Sequence, residues 1–281
     1  MLTSAPLVAA TSASLRPPRR CTWLALGLLG IGIAAAAPAE PPPLSAVIQR
    51  SLETSARQYK GMLAQLPSPV RMPRTFEHGK LTTVIERDWT VGFFPGSLWF
   101  LYEGTRDAQW RTAAARFTRV LEPEQHNTRT HDVGFIVNCS FGHALRLTGD
   151  DAYRPFLLQA AQSLSTRFSP AVGCIKSWDR SPTEYTFPVI IDNMMNLELL
   201  LWAARHGGDA RFRTIALAHA DTTLKNHFRP DGSSFHVVDY DGASGRVLRR
   251  ITHQGTADHS AWARGQAWAL YGYTMMFRET R

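Results

Sequence analysis

Apolar residues recur at helical spacing along most of the chain, and the pattern predicts helices over 44–66, 95–103, 108–121, 132–147, 151–168, 193–206, 210–227 and 260–279. Short Gly-, Pro- and Asp-rich connections separate them. One stretch breaks the period. "SSFHVVDYDGASGRVLRRITHQG" (233–255) alternates, and reads as two strands around the turn from Asp241 to Gly245. The helical segments come in pairs of unlike character. "NLELLLWAA" is apolar on every face, whereas the segment after it, "DARFRTIALAHADTTLKNH", keeps a charged side. An inner layer of buried helices and an outer layer facing solvent would produce that contrast.

A short motif marks the joints. Asp107-Ala-Gln-Trp110-Arg111, Asp150-Asp-Ala-Tyr153-Arg154 and Asp209-Ala-Arg-Phe212-Arg213 each follow a glycine: Gly104, Gly149 and Gly208. Gly tolerates the left-handed backbone that ends a helix, and Asp accepts orphan N–H groups at the next helix start. Each repeat is therefore expected to be a helical hairpin, and repeated hairpins stack into a solenoid or close into a ring. The expected architecture is an all-α double-ring toroid with one small β-hairpin.

The first 39 residues differ from the rest. Arg16, Arg19 and Arg20 precede the uncharged run "CTWLALGLLGIGIAAAAPA", which ends at Ala37-Pro38-Ala39. This pattern is that of a secretory signal peptide, and Arg19-Arg20 with the following Trp-Leu hints at twin-arginine export. The expected organisation is a signal over 1–39, a Pro-rich spacer over 40–44 and one domain over 45–281, in the periplasm of a bacterium. Cleavage would lower the formal net charge from +8 to +5, since three Arg leave and no acid does. The remaining basic residues are scattered and no nucleic-acid motif is present, so an anionic small substrate fits the charge as well as a polymer does. Of the three Cys, Cys139 and Cys174 would remain. An exported pair could bridge. Two buried thiols is the favoured reading, because Cys139 falls mid-helix.

Unusual chemistry gathers where the inner helices start: "DWTVGFFPG" (88–96), "THDVGF" (130–135), "IIDNMMNL" (190–197) and "DHSAWARGQAWALYGY" (258–273). In a ring of hairpins, like ends share one face, so Trp89, Asp132, Asp192 and Arg264 are expected to meet in one cavity. Asp192 is flanked by Ile190, Ile191, Met194 and Met195, an apolar setting that raises a carboxyl pKa. For each Asp the alternative is a plain N-cap, and Arg264, between Trp262 and Trp268, could belong to a packed aromatic stripe. Taken singly, Trp89, Trp178, Trp202 and Trp262 read as core, and His236, His253 and Gln254 read as surface. The chain has no HExxH, GxSxG or Walker-type loop, and its His residues form no evident ligand set.

Four ordered motifs, "WTVGFFPGSLWFLYE", "HDVGF", "IIDNMMNLELL" and "WARGQAWALYGYT", resemble those of the unsaturated glucuronyl hydrolases, glycoside hydrolase family 88, over about residues 45–281. The resemblance implies an (α/α)6 toroid, of which about eight of twelve helices are present, so that the ring is expected to be truncated at its C-terminal side. It implies hydrolysis that releases a 4,5-unsaturated uronic acid from the non-reducing end of lyase-generated oligosaccharides, without metal or organic cofactor. By resemblance, Asp192 is the general acid/base and Asp132 the second essential carboxylate. His236, Gln254, Arg264 and Trp268 surround the uronate carboxylate and the reacting water, and Trp89, Phe93 and Trp178 form stacking walls. His131, His253 and Trp262 are neighbours of the site. The expected partner is an unsaturated acidic oligosaccharide; nucleic acid is not expected, nor a membrane once the signal is removed. Two rival readings are an unsaturated rhamnogalacturonyl hydrolase acting on pectin fragments and a non-catalytic acidic-sugar binding protein; a purely structural helical scaffold is a third.

Overall fold

The computed structural model describes residues 41–66, 71–179 and 184–281. Two compact units are distinguished, 1–42 and 43–281. The first, which holds the expected signal segment, lies outside the described residues except for 41 and 42. The second carries the helices and strands.

Seven of the eight expected helices are present as α-helices. Helix α1 is Leu44–Gln65, α2 Phe93–Thr105, α3 Ala108–Arg119 and α5 Arg154–Ser165. Helices α6 (Asn193–Arg205), α7 (Arg211–His227) and α8 (Ala263–Thr280) complete the set. The segment expected as one helix over 132–147 is instead a π-helix, Gly134–Gly142, running directly into a short α4, His143–Thr148. Helix α2 packs on the π-helix, the π-helix on α6, and α6 on α8, which makes these the inner layer. Helices α3, α5 and α7 pack outside them. Burial follows the layers: α6 buries residues on every face, including Met194, Leu197, Leu199, Leu200 and Leu201. Helix α3 buries one stripe, Trp110, Ala114, Phe117 and Thr118.

The hairpin joints are built with one adjustment. Asp107, Asp150 and Asp209 each accept the backbone N–H two residues on, at 3.0, 3.0 and 2.9 Å. Only Gly149 is a left-handed helix end (φ 68°); at the other two joints that conformation falls to Arg106 (φ 59°) and Gly207 (φ 94°). Gly104 serves a different need, because a Cβ there would sit 2.8 Å from the Leu52 methyls of α1.

The expected β-hairpin is present as β6 (Val237–Tyr240) and β7 (Val247–Ile251), but it is not alone. Strand β5 (Phe187–Ile190) pairs antiparallel with β6, giving a three-stranded sheet in the order β5-β6-β7. Two more antiparallel hairpins form separate sheets, β1 (Met72–Glu77) with β2 (Lys80–Val84) and β3 (Phe168–Ser169) with β4 (Cys174–Ile175). Strand β5 escapes a reading by period because no Gly- or Pro-marked turn parts its apolar run from that of α6. Cys139 and Cys174 are free thiols, and burial pushes both up to about 12.

Candidate active site

Strand β5 delivers the chain to α6 through Ile191, whose N–H donates at 3.0 Å to the carbonyl of His236, the residue before β6. Asp192 is the next residue. It stands at the helix start, yet its side chain makes no capping bond, which removes the plain N-cap reading. It is 7% exposed. Burial holds its carboxyl up at about 6; the negative charge of Asp132 adds to this, while His131 and Arg264 oppose it. About half of this acid is therefore protonated at pH 6, and about a tenth at pH 7.

Asp132 opens the neighbouring inner helix. Thr130 Oγ1 donates to its Oδ2 at 2.6 Å, and His131 Nε2 lies 3.2 Å from its Oδ1. The segment before it is anchored: His131 N–H donates to the Ser177 carbonyl at 2.9 Å, and the buried Arg167 donates to the Thr128 carbonyl at 2.6 Å.

The tautomer of His236 is set by its hydrogen bonds. Its Nδ1 accepts from the backbone N–H groups of His253 and Gln254 at 3.1 and 3.2 Å, so the ring proton sits on Nε2. Burial, with the charges of His253, His227 and Arg264, lowers its pKa to about 3, and the ring stays neutral. Nε2–H then faces Asp192 Oδ2 at 3.6 Å. The ring is 3% exposed and lies against Trp262, with centroids 4.3 Å apart. The surface reading of His236 is thus corrected: just ahead of β6, its ring is buried against Trp262 and faces Asp192 on the cavity.

Asp132, Asp192, Trp89, His131, Trp178, His236, His253 and Gln254 line one cavity of about 1000 Å³. The other four expected site residues stand against this set rather than on the cavity wall. Arg264 donates to Gln254 Oε1 at 3.0 Å, and its guanidinium carbon lies 5.7 Å from the Trp89 ring centre and 4.6 Å from that of Trp262. Phe93 and Trp268 both pack on Phe135, at 5.3 and 5.5 Å, behind Trp89. On the far wall Trp178 meets His253 at 5.6 Å and Tyr185 at 6.1 Å.

Sequence reasoning missed Tyr185, Ile190, Thr130 and the arginines Arg71, Arg87 and Arg129, all of which line the cavity. Arg129 and Thr130 could have been found from their place just before the Asp132 motif; Arg71 depends on the β1–β2 hairpin, which carried no clear signal. Among the described residues no cluster of three or more His, Cys, Asp or Glu has the arrangement of a metal site. Nor is any described helix long and apolar enough to cross a membrane.

Such a constellation offers a protonated acid, a second carboxylate that modulates it and aromatic faces on which a sugar ring can stack. No family model matches the chain. It is 50% identical over 198 residues to an unsaturated glucuronyl hydrolase of Formosa agariphila, covering 70% of this chain and 50% of that protein. It is 38% identical over 196 residues to the enzyme of that name from a Bacillus species, strain GL1, covering 68% of this chain and 52% of the relative. The chain therefore spans about half the length of the curated relatives it matches. A solved structure of an unsaturated glucuronyl hydrolase specific for heparin superposes with a TM-score of 0.79 at 47% identity, covering 83% of this chain and 62% of that one. With half its residues shared over 198 positions, and a TM-score of 0.79 over 83% of its length, the chain belongs to the unsaturated glucuronyl hydrolases.

Proposed function

We propose that the protein hydrolyses lyase-generated oligosaccharides, releasing the 4,5-unsaturated uronic acid at their non-reducing end. The observation that carries this reading is Asp192: an acid holding its proton up to about pH 6, in a cavity shared with a second carboxylate and walled by aromatics. An enol ether is protonated on carbon, and that slow step needs an acid able to give up its proton near working pH. Asp192 donates to carbon 4 and cationic character develops at carbon 5. The resulting carboxylate, with Nε2–H of His236 facing it, takes a proton from the water that adds at carbon 5. The hemiketal opens and the aglycone leaves with its oxygen and a proton, so Asp192 ends the cycle protonated. Asp132 holds ring hydroxyls and adds a smaller upward push to the Asp192 pKa that burial has already raised.

Because the relatives are named for glucuronyl residues and one for heparin, a glycosaminoglycan-derived substrate is the favoured class. We further propose that residues 1–39 direct export; the N-terminal sequence of protein recovered from the periplasm should start near Glu40. The activity is tested by incubation with an unsaturated uronyl disaccharide. Loss of its enol-ether ultraviolet absorbance is expected with the wild type and not with Asp192→Asn. An unchanged absorbance with the wild type rejects the proposal.

A further inference from the structure

The glycine of "HDVGF" and the second asparagine of "DNMMNL" have no part in the chemistry above, yet they touch. Asp132 and Asp192 stand just before the starts of two adjacent inner helices, the π-helix from Gly134 and α6 from Asn193. A π-helix pairs each N–H with the carbonyl five residues back, so its first turn leaves backbone donors to be satisfied from outside. One of them, the N–H of Phe135, donates to Asn196 Oδ1 at 2.8 Å, across 61 residues of sequence. Asn196 is fully buried, and its Nδ2 lies 3.5 Å from the backbone carbonyl of Asp192 one turn earlier. Gly134 makes the approach possible. A Cβ there would lie 2.5 Å from Asn196 Oδ1 and 2.7 Å from its Cα and Cβ. Its φ is not in the left-handed region, so glycine serves for space and not for conformation.

We propose that Asn196 is a positioning residue: seated on Gly134, it ties the backbone of Asp192 to the helix that Asp132 begins and so sets the separation of the two carboxylates. This rests on the reading of the cavity as a hydrolase site. It accounts for two motif residues that neither acid-base chemistry nor capping explains. It also satisfies a first-turn N–H that has no partner within its own helix. The charged and titratable groups facing Asp192 are Asp132, His131, His236 and Arg264. Of these Asp132 opposes ionisation, and its effect falls as the two helix starts part. Reacting groups displaced by about 1 Å can lose on the order of 100-fold in rate.

The test uses the full chain with Asn196→Ala and, separately, Gly134→Ala, which leaves Asn196 in place but forces the joint open. Asp192 is titrated by carboxyl NMR without substrate, and kcat and KM are measured on the unsaturated disaccharide. We expect the Asp192 titration to move to lower pH in both variants. On the substrate, kcat should fall about 10- to 100-fold while KM changes less than about 3-fold. A lower Tm with an unmoved Asp192 titration and wild-type kcat makes Asn196 merely structural and overturns the proposal, as does failure of both variants to fold. A wild type that titrates as expected but turns over no disaccharide rejects the hydrolase reading and leaves the joint standing.

Discussion

Replacing Asp192 by Asn should make the protein more stable at neutral pH, and the size of the gain can be worked out. A free aspartate titrates at about 3.8, whereas burial and Asp132 hold Asp192 at about 6, so keeping it ionised in the fold costs about 3 kcal/mol. The sign is fixed by proton uptake. Between these two pH values the folded state holds a proton that the unfolded state has released, so stability falls as pH rises through that window. Below about pH 3.8 both states are protonated and the penalty vanishes; above about 6 it is fully present. An amide of nearly the same shape carries no such cost. Urea unfolding of wild type and variant at several pH values isolates the effect, because every other titration is common to both. The expected difference is near zero at pH 3.5 and rises to about 3 kcal/mol in favour of Asn at pH 7.5. A variant equal to or weaker than wild type at pH 7.5 would refute the idea that Asp192 is held against its charge.

Other perturbations separate the parts of the site. In His236→Asn the amide oxygen can still accept the N–H groups of His253 and Gln254, but the donor facing Asp192 is lost. The alkaline limb of kcat/KM should therefore rise in pH, whereas His236→Gln, which keeps that donor and loses the loop anchor, should chiefly raise KM. Arg264→Met removes a charge that favours the ionised form of Asp192 and the bond to Gln254. Turnover should drop on the order of 10-fold or more, with the alkaline limb displaced upward; a limb at lower pH would contradict this assignment. Gly92→Ala would place a Cβ 2.2 Å from the Phe135 carbonyl oxygen and 2.7 Å from Ile136 Cα, both backbone atoms of the π-helix. Denaturation should show a loss of about 3 kcal/mol, and a neutral result would mean that the α2–π-helix contact yields freely.

How much of the fold and site was open to a reader of the sequence depended on which physical signal each element carries. The helices were legible because burying an inner helix demands apolar residues on every face, and Leu197 to Leu201 supply them. The π-helix was not, since "GFIVNCSFG" is buried on most sides and has no amphipathic period that would tell one helix type from the other. The turn at 241–245 revealed the β6–β7 hairpin by its Asp and Gly residues; β5 had no such boundary before α6. In the site, Asp132 and Asp192 were legible as charges in apolar company at equivalent places. That Asp192 does not cap its helix, and that His236 has a fixed tautomer, depend on distances between β6, β7 and α6 that no local pattern encodes. Left-handed geometry at Arg106 and Gly207, in place of Gly104 and Gly208, shows the same limit: composition marks a joint, and packing selects the residue that bends.

Whether Asp192 is the proton donor is decided most sharply by the pH dependence of kcat/KM on an unsaturated uronyl disaccharide, because that ratio reports the protonation of the free protein in the act of reaction. With Asp192 as the acid, kcat/KM declines tenfold per pH unit above about pH 6, as the carboxyl surrenders its proton. A rate that climbs through pH 6 to 8, as it would if the ionised form of Asp192 attacked first, would contradict that role.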